Sequence, residues 1–451
     1  MPTCRICGTP LHTFLDLGHH PLSSAFPTPA EARRGDACDA FRYRLAAGIC
    51  ERCALVQLTD DIPHERRPYP GYPYHSSGSS VMREHFRATG RHLLRTELPG
   101  RHAPFAVEVG CTDGVVLRTL ADAGIRTLAF EPSGYTGAEG VRVHRAFLTA
   151  ASAREAVAAE GRAQVVYAAN TVCDIADLPG FFAGLDELLA PDGVFVFEDP
   201  YFGEIVGRTA FDQFYDEHRY YFTATSVRAL AERFGFRLAG IERLPVHGGQ
   251  LRYTLARAGR RPPTRAVAEL LAEEAARGLT DPAVLAAFAG RVDGVRKDLV
   301  ALLEELRAAG RTVAGYAATA KSCTVTAYCG LGPRLVPYVC DSTPAKQGRL
   351  TPGARIPVRA PGAFANPYPD YALLFAWNHA AEIMAKERAF RAAGGRWIRC
   401  APPSRGQSCA GWIFQSATSE LRLKYALVHR SYLPPVAVLW PLVSRKPPLS
   451  P

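Results

Sequence analysis

The 451-residue sequence has no uninterrupted apolar run approaching the ~18 residues of a membrane-spanning helix. Its nearest candidate, Tyr425 to Val443, is broken by prolines and by His429 and Arg430, so neither a transmembrane helix nor a membrane partner is expected. No basic stretch and apolar run precede the first cysteine pair, so no secretory leader is expected and a cytoplasmic protein is. Lysine is scarce, and the excess positive charge of +10 is carried almost wholly by arginines scattered through Ala-rich stretches. Dispersed in this way, the basic residues form no stripe to grip a polyanion, and no nucleic-acid partner is expected. The charge remains suited to drawing in a small phosphate-bearing molecule.

With 47 % hydrophobic and 21 % charged residues the composition is ordinary for a globular protein, and the length calls for two or three domains. In a reducing compartment the 12 cysteines are read as metal ligands before disulfides. Cys4-Arg-Ile-Cys7 and Cys50-Glu-Arg-Cys53 form two Cys-x-x-Cys knuckles, and four sulfurs point to zinc. Four thiolates close a tetrahedral shell and leave no position for water or substrate, which makes the metal structural. Cys38, between the knuckles, has no partner and is left out.

The run Phe105-Ala-Val-Glu-Val-Gly-Cys-Thr-Asp-Gly-Val-Val-Leu117 predicts a buried strand, a glycine turn and a helix start, the pattern of a nucleotide-binding turn in a parallel sheet. It lacks G-x-G-x-x-G, and Glu108 stands two positions before the first glycine. That Glu-x-Gly pattern resembles the first motif of Rossmann-like methyltransferases, which makes Glu108, Gly110, Asp113 and Gly114 cofactor-binding candidates. A second strand, Thr127-Leu-Ala-Phe-Glu131, ends in an acid where a carboxylate would hold two ribose hydroxyls. A third, Ala163 to Ala169, ends at Asn170, and a fourth, Gly193 to Glu198, follows a Pro-Asp-Gly turn. Such alternation predicts a doubly wound α/β sheet with its crevice at the strand C-termini.

The segment Phe211-Asp-Gln-Phe-Tyr-Asp-Glu-His-Arg-Tyr-Tyr-Phe222 is crowded with aromatic, acidic and imidazole groups, which no plain amphipathic element requires. Together with the cysteine knot, the Glu-Val-Gly turn, His247-Gly-Gly-Gln-Leu-Arg252 and Lys346-Gln-Gly, it resembles the sugar C-methyltransferases of antibiotic deoxysugar biosynthesis, over about residues 4 to 403. The resemblance implies a zinc-binding domain over 1–70, an S-adenosylmethionine-dependent methyltransferase domain over 71–258, connecting helices over 259–309 and a C-terminal Rossmann-like sugar-nucleotide domain over 310–405. Residues 406–451 are expected to be an accessory or poorly ordered tail.

Family members remove a proton beside the ketone of a dTDP-linked 4-keto-6-deoxysugar and let the enolate take the cofactor's methyl group. Tyr215, Glu217 and His218 match the family's Tyr-x-Glu-His segment, and a neutral imidazole of reference pKa about 6.5 suits a general base near neutral pH. His218 is the base candidate, with Tyr215 and Glu217 assisting; Tyr72, in Tyr-x-Tyr-x-Ser-Ser, is carried over as facing the sugar. Lys321, Lys346, Arg252, Trp377 and Asn378 are expected on the sugar-nucleotide side. Two departures stand out. Ala317, Ser322 and Cys323 replace two glycines and an asparagine around Lys321, and Asp174 stands where the family commonly has a histidine near the substrate. An ionised aspartate donates no hydrogen bond to a ketone oxygen. It therefore keeps open another acceptor, carbon, nitrogen or oxygen, or a homologue that binds sugar nucleotide without turnover. Regiochemistry beyond the C3 that the resemblance favours, and oligomeric state, are not written in the sequence.

Overall fold

A computed structural model describes residues 1–34, 41–63, 78–100, 102–134 and 141–399, together with the backbone of residues 413–414. Strands β1 (Leu11–Pro21), β2 (Arg42–Cys50) and β3 (Val56–Leu58) pair antiparallel behind the cysteine knuckles. In β1 the apolar Leu15 and Leu17 turn inward at the strand period of two.

The central sheet is built from β4 (Phe105–Val109), β5 (Arg126–Phe130), β6 (Arg142–His144), β7 (Ala163–Ala169) and β8 (Leu189–Pro200). Beyond β9 (Tyr220–Tyr221) it gains β10 (Phe236–Leu244) and β11 (Gln250–Arg257), giving the order β10-β11-β8-β7-β4-β5-β6. β6 to β8 run parallel, and β11 enters antiparallel. All five residues of β4 are buried, as a strand covered on both faces requires. The Pro-Asp-Gly read as a turn lies within β8, absorbed where the register shifts from Ala163↔Leu189 to Val165↔Val194. Thr149 and Thr223 start the helices Ala150–Glu160 and Ala224–Arg233 with capping boxes to Ser152 and Ser226.

A third sheet contains β12 (Val313–Tyr316), β13 (Val339–Cys340), β14 (Val358–Arg359), β15 (Tyr371–Leu374), β16 (Arg396–Arg399) and β17 (Ile413–Phe414), in the order β14-β13-β12-β15-β16-β17. It is parallel except for β17, a short strand in the stretch read as a tail. Two helices, Arg265–Ala276 and Pro282–Ala308, join the central and third sheets. The longer buries Leu285, Phe288, Val292, Val295, Leu299, Leu302 and Leu306, a row spaced by three and four. Its Phe288 ring lies 6.4 Å from both Phe14 of β1 and Phe214.

The chain is thus an α/β protein with a doubly wound central sheet, an N-terminal cysteine-knuckle module and a second sheet that is parallel but for its last strand. Among the described residues no helix is long and apolar enough to cross a membrane.

Candidate active site

The C-terminal ends of β4, β5, β7 and β8 bring Gly110, Glu131, Asn170 and Glu198 to one edge. Gly110 has φ +71°, and a Cβ there would lie 2.5 Å from Thr171 Oγ1, so only glycine fits the turn. Gly114, also left-handed, opens the helix Val115–Ala121, and Asp113 stands between them on the partly exposed face of the turn. Glu131 is buried, and its carboxylate accepts from Thr112 N–H (3.0 Å) and Ser133 N–H (2.9 Å), tying the glycine turn to the end of β5. Asn170 takes φ +49°, a region asparagine tolerates, donates its N–H to Glu198 O at 2.7 Å and accepts from Gln250 Nε2. Glu108 lies just behind this edge. Burial drives its carboxyl well above the usual carboxylate range, and its Oε2 has no hydrogen-bond partner among the described residues. A glycine-lined edge with a buried acid and an acceptor at the next strand end has the donor and acceptor set that S-adenosylmethionine needs.

The aromatic segment lies across this edge, held from both sides. Arg219 N–H bonds Cys173 O at 2.7 Å, and its guanidinium reaches Asp61 and Ile62 O. β9 pairs with β3, and Asp216 accepts from Ser23 N–H at 3.0 Å. Within the segment Tyr215 Oη and His218 Nε2 are 2.7 Å apart, both side chains buried. The Cys173 sulfur, an Asp174 carboxylate oxygen and a His218 ring nitrogen lie within 4.8 Å of one another, and Cys173 Sγ contacts Asp174 Oδ1 at 3.3 Å. Beside Cys173, buried Asp199 is pushed up to about 8 by desolvation.

The other side of the segment meets the third sheet. Asp212 accepts from Trp377 Nε1 at 2.6 Å and is pushed up to about 6 by burial, against the pull of Lys321. Glu217 faces Lys321 and Lys346, and burial lowers both lysines from their ordinary values. Lys346 Nζ donates to Ala318 O at 2.8 Å and sits 5.1 Å from the Phe26 ring. A Cβ on Gly248 would come 2.5 Å from Trp377, so the β10–β11 turn is pressed against this lobe. There the His247 and His379 rings meet edge-on at 6.0 Å, both held below the ordinary imidazole value by burial, with Lys321 adding to it.

The structure therefore joins Asp174, Tyr215 and His218 in one cluster and, from the same aromatic segment, sets Glu217 toward Lys321 and Lys346 and Asp212 against Trp377, with Asn170 at the end of β7 and partly exposed Asn378 following Trp377. Arg252 is not brought to Lys321 and Lys346. Its cross-strand neighbours are Glu198 on β8 and Glu242 on β10, and its donors go to Glu198 (2.9 Å), Glu242 and Thr89 (2.8 Å). Tyr72 lies outside the described residues. Sequence reasoning passed over Asp199, Asp212, His247 and His379 as site residues, although each adjoins a motif it used.

In the N-terminal module Cys4 Sγ and Cys53 Sγ are 3.6 Å apart, Cys7 Sγ and Cys50 Sγ 3.4 Å, and all four sulfurs fall within 4.8 Å. Zinc–sulfur bonds of ~2.3 Å place tetrahedral sulfurs roughly 3.8 Å apart, so the cluster fits the ion. The N–H groups of Ile6 (3.4 Å) and Cys53 (3.5 Å) and the Gln57 amide (3.3 Å) point at the sulfurs, the donors that thiolates require.

Family models match in the same three parts: "Putative zinc binding domain" over residues 4–66, "Methyltransferase domain" over 83–239 and "C-methyltransferase C-terminal domain" over 245–402. C-methyltransferase NovU of Streptomyces niveus is 33 % identical over 410 residues, 89 % of this chain and 96 % of the relative. Among solved structures, a SAM-dependent methyltransferase from Anabaena variabilis is 16 % identical, covering 38 % of this chain and 84 % of its own at a TM-score of 0.30. The CcbJ methyltransferase of Streptomyces caelestis is 15 % identical, covering 39 % and 90 % at 0.29.

Proposed function

The chain belongs to the C-methyltransferase family, and from that premise we propose that it methylates a dTDP-linked 4-keto-6-deoxysugar at C3, through an enolate that His218 generates. The enzyme is an S-adenosylmethionine-dependent methyltransferase with a structural zinc domain. The observation that supports the finer reading best is the buried Tyr215–His218 pair, 2.7 Å apart, between the cofactor edge and the lysines of the third sheet.

In this reading His218, as the neutral imidazole, accepts the proton from the carbon beside the ketone, and the C–H electrons pass to the ketone oxygen. Tyr215 holds the imidazole in place through its hydrogen bond and stands ready to donate to the enolate oxygen. S-adenosylmethionine, when bound, supplies the electrophilic methyl group that the enolate carbon takes. Gly110, Glu131 and Asn170 hold it at the strand ends, Glu131 offering its remaining lone pairs to the ribose. Lys321 and Lys346, with Glu217 between them, meet the diphosphate and sugar, and Trp377 and Asn378 line the same side. A second reading, transfer to another sugar carbon or to nitrogen or oxygen, is favoured by one observation: Asp174 stands beside His218 and, ionised, donates no hydrogen bond to a ketone.

The test is incubation with methyl-labelled S-adenosylmethionine and a dTDP-4-keto-2,6-dideoxyhexose in heavy water. Label on C3 that vanishes in His218→Ala supports the reading. Label on another atom moves the site of transfer, and the absence of both label and deuterium beside the ketone rejects the substrate.

A further inference from the structure

The turn carrying Asp174 and the loop carrying His218 are locked to one another. Asp174 ends a short 3-10 turn, Val172–Asp174, closed by its own N–H to Thr171 O at 3.0 Å. The residue after His218, Arg219, donates its N–H to Cys173 O at 2.7 Å, so the backbones on the two sides are joined within one residue of each side chain. The carboxylate and the imidazole consequently sit within 4.8 Å of each other with little freedom to part. Cys173 shares the cluster, but burial holds its thiol well above its ordinary value, so it stays a neutral donor to Asp174 Oδ1 at 3.3 Å. Among the described residues, the titratable groups facing His218 include Tyr215 and Tyr221 from its own segment and His247 from the β10–β11 turn, and Asp199 stands on the other side of Cys173.

We propose that Asp174 and His218 act as a carboxylate–imidazole dyad, in which Asp174 is a positioning residue that stabilises the imidazolium formed when His218 takes the substrate proton. The inference rests on the assignment of His218 as base. An opposite charge this close favours the protonated imidazole. It thereby makes His218 a stronger base, in the way a buried aspartate supports the histidine of a hydrolytic triad. Asp174 therefore has a use that needs no hydrogen-bond donor.

The test follows the imidazole as well as turnover. In full-length protein with 15N-labelled histidine, the His218 resonance, identified by its loss in His218→Gln, is titrated in the wild type, Asp174→Asn and Asp174→Glu. The expected result is a midpoint about one pH unit or more lower in Asp174→Asn, with the acid limb of kcat against pH moving with it, and most of the change recovered in Asp174→Glu. Should Asp174→Asn fail to fold, Asp174→Ser carries the same comparison. An unchanged midpoint in a folded variant overturns the dyad while leaving His218 as base. Full deuterium exchange and methylation in His218→Ala would instead sink the reading on which the dyad rests. A second bound metal equivalent that disappears in Asp174→Asn also overturns it, because the cluster would then be a ligand set.

Discussion

The Tyr215 hydroxyl and the His218 Nε2 are joined at 2.7 Å across a turn that also closes from His218 N–H to the Tyr215 carbonyl. The backbone therefore presents both groups as one unit, and the two substitutions should differ in degree. His218→Ala removes the proposed base and is expected to lower methylation and deuterium exchange together by about 10²- to 10⁴-fold. Tyr215→Phe removes one hydrogen bond of about 0.5–1.5 kcal/mol and should lower kcat by roughly 3- to 10-fold. Both should bind labelled cofactor normally. A Tyr215→Phe enzyme with wild-type kcat would exclude the hydroxyl from the reaction.

Lys321 and Lys346 approach Glu217 from the third sheet, partly withdrawn from water. Lys346 Nζ reaches Ala318 O in the turn that leads into Lys321, so the two lysines meet at one turn, and in the proposed reading each contributes its own charged contact to the sugar nucleotide. Lys321→Ala should raise KM for the sugar nucleotide by about 10-fold or more, the weight of a charged hydrogen bond of ~1.5–3 kcal/mol, with a smaller change in kcat. Steady-state kinetics at two salt concentrations measures this. A loss confined to kcat would place Lys321 at the reacting carbon.

Zinc should matter to catalysis through one short chain of contacts. Gln57 donates to Cys4 Sγ at 3.3 Å, and it lies on β3, whose Val56 and Gln57 pair with Tyr221 and Tyr220 just after His218. Leu58 N–H also bonds Arg219 O at 3.0 Å. Removing the metal with a chelator, or mutating Cys4→Ser, is expected to loosen β3 and with it the catalytic segment, lowering turnover at least 10-fold. Cofactor affinity should survive, because Gly110, Glu131 and Asn170 rest on the central sheet. Equal loss of cofactor binding would mean that the zinc module holds up the central sheet as well.

What was legible in the sequence was local. The strand, glycine turn and helix around Gly110 are consecutive in the chain, as are the cysteine knuckles, and each carries its signal within a few residues. Gathering the site was legible only through resemblance, because Asp212 and Trp377 are 165 positions apart and nothing between them encodes the contact. Arg252 shows the limit most clearly. As an arginine after His-Gly-Gly it suits a phosphate, but strand register places it between Glu198 and Glu242, and register is a property of the sheet rather than of the strand. The pairing of β9 with β3 was hidden for the same reason.

Ala317 occupies a position where the resembling sequences have glycine, and it takes φ +71° with its N–H held by Cys340 O at 2.7 Å. The left-handed region costs an alanine roughly 1–2 kcal/mol, part of which returns through the greater unfolded freedom of glycine. Ala317→Gly should therefore stabilise the protein by about 0.5–1 kcal/mol, read as an upward shift in the unfolding midpoint of the third sheet. A destabilised variant would show that the methyl group packs usefully against its neighbours.

Asp199 gives the last expectation, in pH rather than in kinetics. Its carboxyl is fully buried beside Cys173, and desolvation pushes it up to about 8, whereas an unfolded aspartate titrates near 3.9. Between about pH 4 and pH 8 the folded state holds one proton that the unfolded state has released. Raising the pH through that window therefore lowers stability, by up to about 1.4 kcal/mol per pH unit from this group alone. The direction is opposite to that of a salt-bridged carboxylate, because here the folded state favours the neutral acid. Asp199→Asn keeps the shape and removes the titration. It should unfold at nearly the same denaturant concentration as the wild type near pH 4 and at a progressively higher one toward pH 8. Asp212, pushed up to about 6 by the same cause, is present in both proteins and drops out of the difference. A constant gap between the two midpoints at every pH would mean that Asp199 is ionised in the folded protein, and that a compensating charge or donor stands beside it.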